Sequence, residues 1–384
     1  MIYLDNAATS YPKPESVIRA MAYAQKYIGA NPGRGGHKRT VIAGQKVFQA
    51  REAVGNMFDA KSEHVVFTAN CTQSLNTAIK GVLKKGDEVI VSSMEHNSVL
   101  RPVHYLKEKG IIDYKVANVY PLDDSKTVES FASCINRNTK AVVCTCVSNV
   151  FGTCLPTERI GKLCKDKGII FIVDAAQSAG SKKISMKKHN IDILCAPGHK
   201  GLMGPMGTGI LVFGDGTECE SLFQGGTGSY SMQVEQPSFL PDKFESGTAN
   251  LPGITGLHQG IEFIKKCGGE KAVGEKENYL CKILIDDLND IKNVTVYNEL
   301  CDKKETNIVS FNVGTLHSEQ VAADLDKCYI ALRAGYHCSF LAHNIYGTEK
   351  TGVVRISPGF FNTKKDVKTL INCVNKIAKD YILW

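Results

Sequence analysis

Between residues 65 and 213 short apolar, β-branched runs alternate with segments of helical period, and this alternation narrows the possible folds more than any other feature. VVFTA is followed by TQSLNTAIKGVLKK, DEVIVSS by NSVLRPVHYLKEKG, DYKVANV by VESFASCIN, and AVVCTCVSN by LPTERIGKLCKDKG; IIFIVDAAQ, IDILCA and GTGILVF complete the series. Such alternation predicts β-α-β units that wind a mostly parallel sheet with helices on both faces. From about residue 256 the pattern changes to a long helix (LHQGIEFIKKC), a second helical stretch (AVGEKENYLCKILIDDL), and strands such as NVTVYN and NIVSFNV. The reading is a two-domain α/β chain: a large domain over 14–256 and a smaller α+β domain over 257–384, with residues 1–13 packing with the small one.

Composition removes several functional classes. With 384 residues, 43% of them hydrophobic, the chain can bury a large core. The formal charge is +7, but bases and acids are interspersed, and the densest basic patch, KKISMKKHN, reads as a solvated face. No nucleic-acid partner is expected. The start, MIYLDNAATSYPKP, carries an acid at Asp5 and no basic-then-apolar signal, and no apolar run is long enough to span a bilayer. A soluble, cytoplasmic protein with no membrane partner is therefore expected. Fourteen cysteines lack the paired spacings of zinc sites, and Cys144 and Cys146, one residue apart in an apolar strand, face the same way. They are read as reduced thiols used as small hydrophobes, with no metal site.

Reactive and ligand-holding residues collect where strands end. Cys71 and Thr72 follow VVFTA, Glu95 and His96 follow VIVSS, Asn149 follows VVCTCVS, Asp174 and Gln177 close IIFIV, and His199 and Lys200 follow DILCA. Parallel strands bring their carboxyl ends to one edge, so these residues converge on one crevice. Each also has an ordinary structural role. Thr72 suits a helix N-cap, or a donor beside phosphate at a helix amino terminus. His96 is either a satisfied loop histidine or a ring that stacks on a flat ligand. Asp174 either caps the following turn or holds a protonated ring nitrogen. Asn149 and Gln177 are plain loop residues unless a ligand needs amide donors. Lys200, in the glycine-rich loop CAPGHKGLMGPMGTG, is either a wet loop lysine or a buried amine nucleophile. Pyridoxal 5′-phosphate uses all these groups together: a phosphate cradle, a carboxylate, a stacking ring and an amine.

YLDNAATS at 3–10, MEHNS at 94–98, VSNVFGT at 147–153, VDAAQ at 173–177, GHK at 198–200 and RAGYHC at 333–338 resemble the class V aminotransferase-fold enzymes, nearest to the cysteine desulfurase and selenocysteine lyase branch. The resemblance covers nearly the whole chain, with the motifs in the family's order. It implies the fold type I architecture of pyridoxal-phosphate enzymes and a homodimer with shared active sites. Residue by residue, it implies that Lys200 bonds the cofactor aldehyde and His199 contacts the phosphate, with Cys71 and Thr72 completing the cradle. Asp174 would pair with the ring nitrogen, Gln177 face the ring hydroxyl, His96 stack on the ring, and Asn149 lie near the ring and the substrate carboxylate. Gly247 and Thr248, in ESGTAN, would reach the phosphate of the partner subunit. Arg355, in GVVRISPGFFNT, would clamp the substrate carboxylate, with Arg333 as a further substrate contact.

Cys338, in RAGYHCSFLAHN, matches the nucleophile of the desulfurases. The expected reaction converts L-cysteine, or a related amino acid such as selenocysteine, to alanine, with sulfur carried on Cys338 as a persulfide for a protein acceptor, as in iron–sulfur cluster assembly. Only a thiolate attacks, so His337 and Arg333 are expected to be helpful cations beside it. Pro197 stands where relatives have a hydroxyl beside the phosphate, and Cys71 where threonine is common. Two other readings remain at this level: an aminotransferase, racemase, epimerase or β-lyase in which Cys338 is incidental, and a non-catalytic protein binding metal or partners through its thiols.

Overall fold

The computed structural model describes residues 1–33, 35–298 and 306–382. The first elements are a short strand β1 (Ile2–Tyr3) and two helices, α1 (Glu15–Tyr23) and α2 (Lys38–Phe58). The alternating region follows as β2 (Val65–Thr68), α3 (Cys71–Val82), β3 (Glu88–Ser92), α4 (Asn97–Glu108), β4 (Asp113–Ala117) and α5 (Asp124–Cys134). It continues through β5 (Thr139–Thr145), α6 (Thr157–Lys167), β6 (Ile170–Asp174), β7 (Ile193–Pro197) and β8 (Gly209–Phe213). These strands form one seven-stranded sheet in the order β2-β8-β7-β6-β5-β3-β4. Only β8 is antiparallel to its neighbours, so the carboxyl ends of the other six share one edge.

The strands are apolar on both sides because helices cover both. On one face Ile90, Val142, Phe171, Val173 and Leu194 pack with Phe58 of α2, Phe131 of α5 and Ile160 of α6. On the other, Val89, Val91, Val143, Ile172 and Ile193 pack with Leu75 and Ile79 of α3 and Val99 and Val103 of α4. Alternate residues of each strand thus enter opposite cores, as a buried parallel strand requires. Cys144 and Cys146 share one of these cores, and burial pushes the Cys146 thiol up to about 12, so both act as apolar side chains.

Helix α7 (Leu251–Lys266) begins six residues before the helical stretch read from the sequence, because Asn250 caps it by accepting from Gly253 N at 3.0 Å. It runs across position 256 and packs on α1 and α2. Beyond it come α8 (Gly269–Asn289), β9 (Val294–Val296), β10 (Val309–Val313), α9 (Ser318–Lys327), β11 (Ile330–Ala331) and β12 (Arg333–Gly335). The last elements are α10 (Phe340–Tyr346), β13 (Val353–Ile356) and α11 (Lys364–Ile382). An antiparallel sheet, β12-β13-β10-β9, lies against α8, α9 and α11 over a separate apolar cluster that includes Leu4. Strand β1 pairs in parallel with β11. Among the described residues no helix is long and apolar enough to cross a membrane, and no cluster of three or more His, Cys, Asp or Glu could hold a metal ion.

Candidate active site

The polar strand ends do meet. Asp174, the last residue of β6, is buried at the sheet edge, where its Oδ1 accepts from Ala176 N (2.8 Å) and from the Cys71 thiol (3.7 Å). Both contacts fall on Oδ1, which leaves Oδ2 for a ligand. Burial raises the Asp174 pKa, and the nearby Lys200 opposes that rise. Cys71 opens α3, but the cap of that helix is Asn70, whose side chain accepts from Gln73 N (2.9 Å). This corrects the reading of Thr72 as the N-cap. Thr72 is instead exposed in the first turn, its hydroxyl 2.9 Å from Ser98 Oγ.

His96 caps α4. Its Nδ1 accepts from Ser98 N (3.0 Å), which assigns the proton of the neutral ring to Nε2. Burial and the charge of Lys200 bring its pKa down to about 4, so the ring is uncharged at neutral pH. Glu95, the residue before it, is fully buried, with Oε1 accepting from the Ser92 hydroxyl and from Thr145 N (2.8 Å) and Oε2 without a partner. Burial raises this carboxyl to about 8, so it is neutral at pH 7.

Lys200 follows β7 in a loop held by close backbone approaches. A Cβ at Gly180 (φ +91°) would lie 2.2 Å from the carbonyl oxygen of Gly201, so only glycine allows that contact. Burial, reinforced by the charge of Arg355, lowers the Lys200 pKa and favours the free amine. His199 is also held neutral, at about 4, and its buried Nδ1 has no partner. The amino-terminal segment crosses this loop: Ser10 N (3.0 Å), Thr9 Oγ1 (3.1 Å) and Lys13 Nζ (2.6 Å) all donate to the carbonyl of His199. Pro197 ends β7, buried and paired with Gly209.

Arg355, on β13, is 2% exposed; it bonds Asp5 Oδ1 (2.7 Å) and the carbonyl of Asn149 (2.8 Å), and its Nε has no partner. Arg333 reaches the other oxygen of Asp5 at 3.3 Å, so one carboxylate joins two arginines. Asn149 spends its amide on the Cys338 loop, donating to His337 O (2.7 Å) and accepting from Ser339 Oγ (2.6 Å). Gln177 Nε2 donates to Ala7 O at 3.0 Å. Cys338 is exposed, in a turn where His337 (φ +49°) and Cys338 (φ +60°) are both left-handed, and its carbonyl accepts from Asn97 N at 2.7 Å. That bond ties the cysteine to the residue after His96.

His337 differs from expectation. It is buried, with Nε2 donating to Val353 O (3.1 Å), and burial together with Arg355 drives its pKa well below the ordinary value. It is a neutral strut of the loop and supplies no positive charge to Cys338. Gly247 and Thr248 line a separate hollow of about 450 Å³ beside Phe67, Gln73 and Gly207, which Lys200 does not reach. Arg51 holds this region by a bidentate ion pair with Glu245, which also accepts from Phe67 N (2.7 Å). A further hollow of about 500 Å³ lies at the opposite edge of the sheet, near His64, Lys165 and Asp192, and contains none of the strand-end residues. Sequence reasoning missed Ser98, Ser339, Asp5 as a bridge, and Lys13. Asp5, in YLDNAATS, and Ser98, in MEHNS, lay within motifs that carry the resemblance.

A family model for aminotransferase class V matches residues 2–370. The chain belongs to the class V aminotransferase family. It is 34% identical to a Pyrococcus abyssi protein named "Probable cysteine desulfurase", over 99% of this chain and 94% of that one. A Borreliella burgdorferi protein of the same name is 32% identical, over 99% and 92%. Among solved structures of the family, the apo cysteine desulfurase of Thermococcus onnurineus NA1 superposes with a TM-score of 0.92 at 34% identity, covering 99% and 95%. The cysteine desulfurase CsdA of Escherichia coli, in S-sulfonic acid form, gives 0.86 at 26% identity, covering 98% and 94%. The mostly parallel sheet with an antiparallel small sheet is the fold type I architecture of this class V family. Its enzymes depend on pyridoxal 5′-phosphate.

Proposed function

We propose that the chain is a pyridoxal-phosphate-dependent cysteine desulfurase that converts L-cysteine to L-alanine and carries the sulfur on Cys338 as a persulfide. The observation that carries this reading is the exposed Cys338 thiol, in a turn bonded to the residue after His96, at the crevice that holds Lys200. The relatives above, each named a cysteine desulfurase, support it. L-selenocysteine is the analogue that the same attack admits. Transamination, racemisation or β-elimination would leave Cys338 without a task, and these relatives do not point there.

The residues fit the cofactor. The unpartnered His199 Nδ1 and the first turn of α3 with Cys71 and Thr72 suit a phosphate, Asp174 Oδ2 suits a protonated ring nitrogen, and the neutral His96 ring suits stacking. Gln177 and Asn149 would add amide contacts once their present partners exchange. Bound there, the cofactor supplies an electron sink that weakens bonds around the substrate Cα. Lys200 Nζ, with its ammonium form disfavoured, holds and moves the Cα proton. Arg355 receives the substrate carboxylate on its free Nε–H, with Arg333 drawn in through Asp5. Cys338 Sγ attacks as thiolate: its bond to the substrate sulfur forms as the sulfur–Cβ bond breaks, and the carbon skeleton keeps that pair. A proton from Lys200 then completes alanine.

A homodimer with shared sites belongs to the same proposal. Ile18, Tyr23, Val41, Ile42 and Phe48 leave an exposed apolar face on α1 and α2, beside the hollow with Gly247 and Thr248. A protein acceptor for the persulfide sulfur, a role in iron–sulfur cluster assembly and a reducing, cytoplasmic setting complete it. The test is alanine and sulfide release from L-cysteine with a thiol reductant, for the cofactor-loaded protein and its Cys338→Ala variant. Equal amounts of alanine and sulfide, falling by about three orders of magnitude in the variant, are expected for loss of the nucleophile. Full sulfide release with pyruvate in the variant would establish elimination instead.

A further inference from the structure

The segment Thr9–Lys13 crowds hydrogen-bond donors onto one carbonyl of the Lys200 loop. The oxygen of His199 lies 2.6 Å from Lys13 Nζ, 3.0 Å from Ser10 N, 3.1 Å from Thr9 Oγ1 and 3.2 Å from Ser10 Oγ. The next carbonyl, that of Lys200 itself, accepts from Ser10 Oγ at 2.9 Å. Lys13 Nζ also donates to Ser10 Oγ at 2.7 Å. A serine hydroxyl has one proton to give, so with Lys13 donating to it, that proton is directed to Lys200 O. The result is a relay, Lys13 to Ser10 to Lys200 O, beside the direct bond from Lys13 to His199 O.

These two carbonyls flank the Lys200 Cα. Fixing both peptide units fixes the direction in which its side chain leaves the backbone. A lysine stem has four rotatable carbons and high rotamer entropy, so the placement of its root decides how often the amine meets a target. We infer that Lys13, acting with Ser10, is a positioning residue that aims Lys200 at the cofactor aldehyde. The ammonium is suited to this task. It is half-buried, its two bonds are shorter than those of the neutral donors, and a charged donor outcompetes water for a crowded carbonyl. The bonds of Lys13 Nζ go to Ser10 Oγ and the His199 carbonyl, so it acts through the backbone on either side of the Lys200 Cα.

The inference rests on Lys200 being the residue that bonds the cofactor, and one experiment separates the two. Apo-protein is mixed with pyridoxal 5′-phosphate, and the visible absorbance that marks attachment to Lys200 is followed in time. Lys200→Ala must lose this absorbance; if it does not, the reading of Lys200 fails whatever Lys13 does. With that control satisfied, Lys13→Met and Ser10→Ala are expected to slow attachment about tenfold or more and to lower kcat for L-cysteine, with KM little changed. Lys13→Gln, which keeps an N–H donor, is expected to recover part of the rate. Attachment rates equal to wild type in both Lys13→Met and Ser10→Ala would overturn the inference. So would a rise in KM with kcat unchanged, since that would place Lys13 in substrate binding.

Discussion

Two side chains that the reaction does not use make the stability of the apo-protein depend on pH. Glu95 and Glu277 are buried, and burial raises each carboxyl to about 8. The native state therefore keeps protons that the unfolded chain has already released above the ordinary glutamate value of 4.5, and stability falls as pH rises from there to about 8. His96 and His199, lowered to about 4, act oppositely but only below the ordinary histidine value of 6.5. Between about pH 6.5 and 8 the carboxyls stand alone among these four groups, and each contributes a decline of about 1.4 kcal/mol per pH unit. Urea unfolding of the apo-protein across that window should show Glu95→Gln declining less steeply than wild type. An unchanged slope would mean that Glu95 is already ionised. Residues of this kind show how far the site is legible in the sequence. Lys200, Asp174 and His96 stand at the ends of apolar runs, and a sheet edge gathers such positions. Lys13 is hidden, because its bond to a carbonyl 186 residues away leaves no local pattern. The neutral state of His337 is hidden too, since burial by β13 is a tertiary fact.

At the scale of elements, the alternating pattern named the strands and helices of the large sheet, yet a short apolar run carries no direction, and β8 proved to run against its neighbours. Caps lie away from where composition points: Asn70, two residues before Thr72, caps α3, and Asn250 starts α7 well before the stretch that reads as helical. The segment with Gly247 and Thr248 has little regular structure and is held by a side-chain strut, in which Arg51 of α2 grips Glu245 and the carbonyl of Val65. Arg51→Met would leave Glu245 enclosed without a counter-charge. We expect a loss of about 3–5 kcal/mol in denaturant unfolding. A loss under about 1 kcal/mol, as for an exposed ion pair, would show that the strut is dispensable.

At the scale of the molecule, the proposed dimer makes a demand that neither chain meets alone. If Thr248 serves the partner's site, a Lys200→Ala chain and a Thr248→Ala chain are each impaired, but a mixed dimer has one site with both residues intact. Co-expression should restore about a quarter of wild-type sites, from random pairing of the two chains. Absence of any recovery in isolated mixed dimers would confine each site to one chain. The first residues of the chain raise a different matter, one of time. Ile2 pairs with Ile330, Asn6 N bonds Ser357 O (3.1 Å), and Asp5 meets Arg355, while Ser10 and Lys13 grip the loop of Lys200. Translation delivers this segment well before its partners beyond residue 330. The central sheet can therefore assemble while the segment that grips its lysine loop is still unanchored at its other end. The enzyme is complete only when this early segment is captured by residues made long after it.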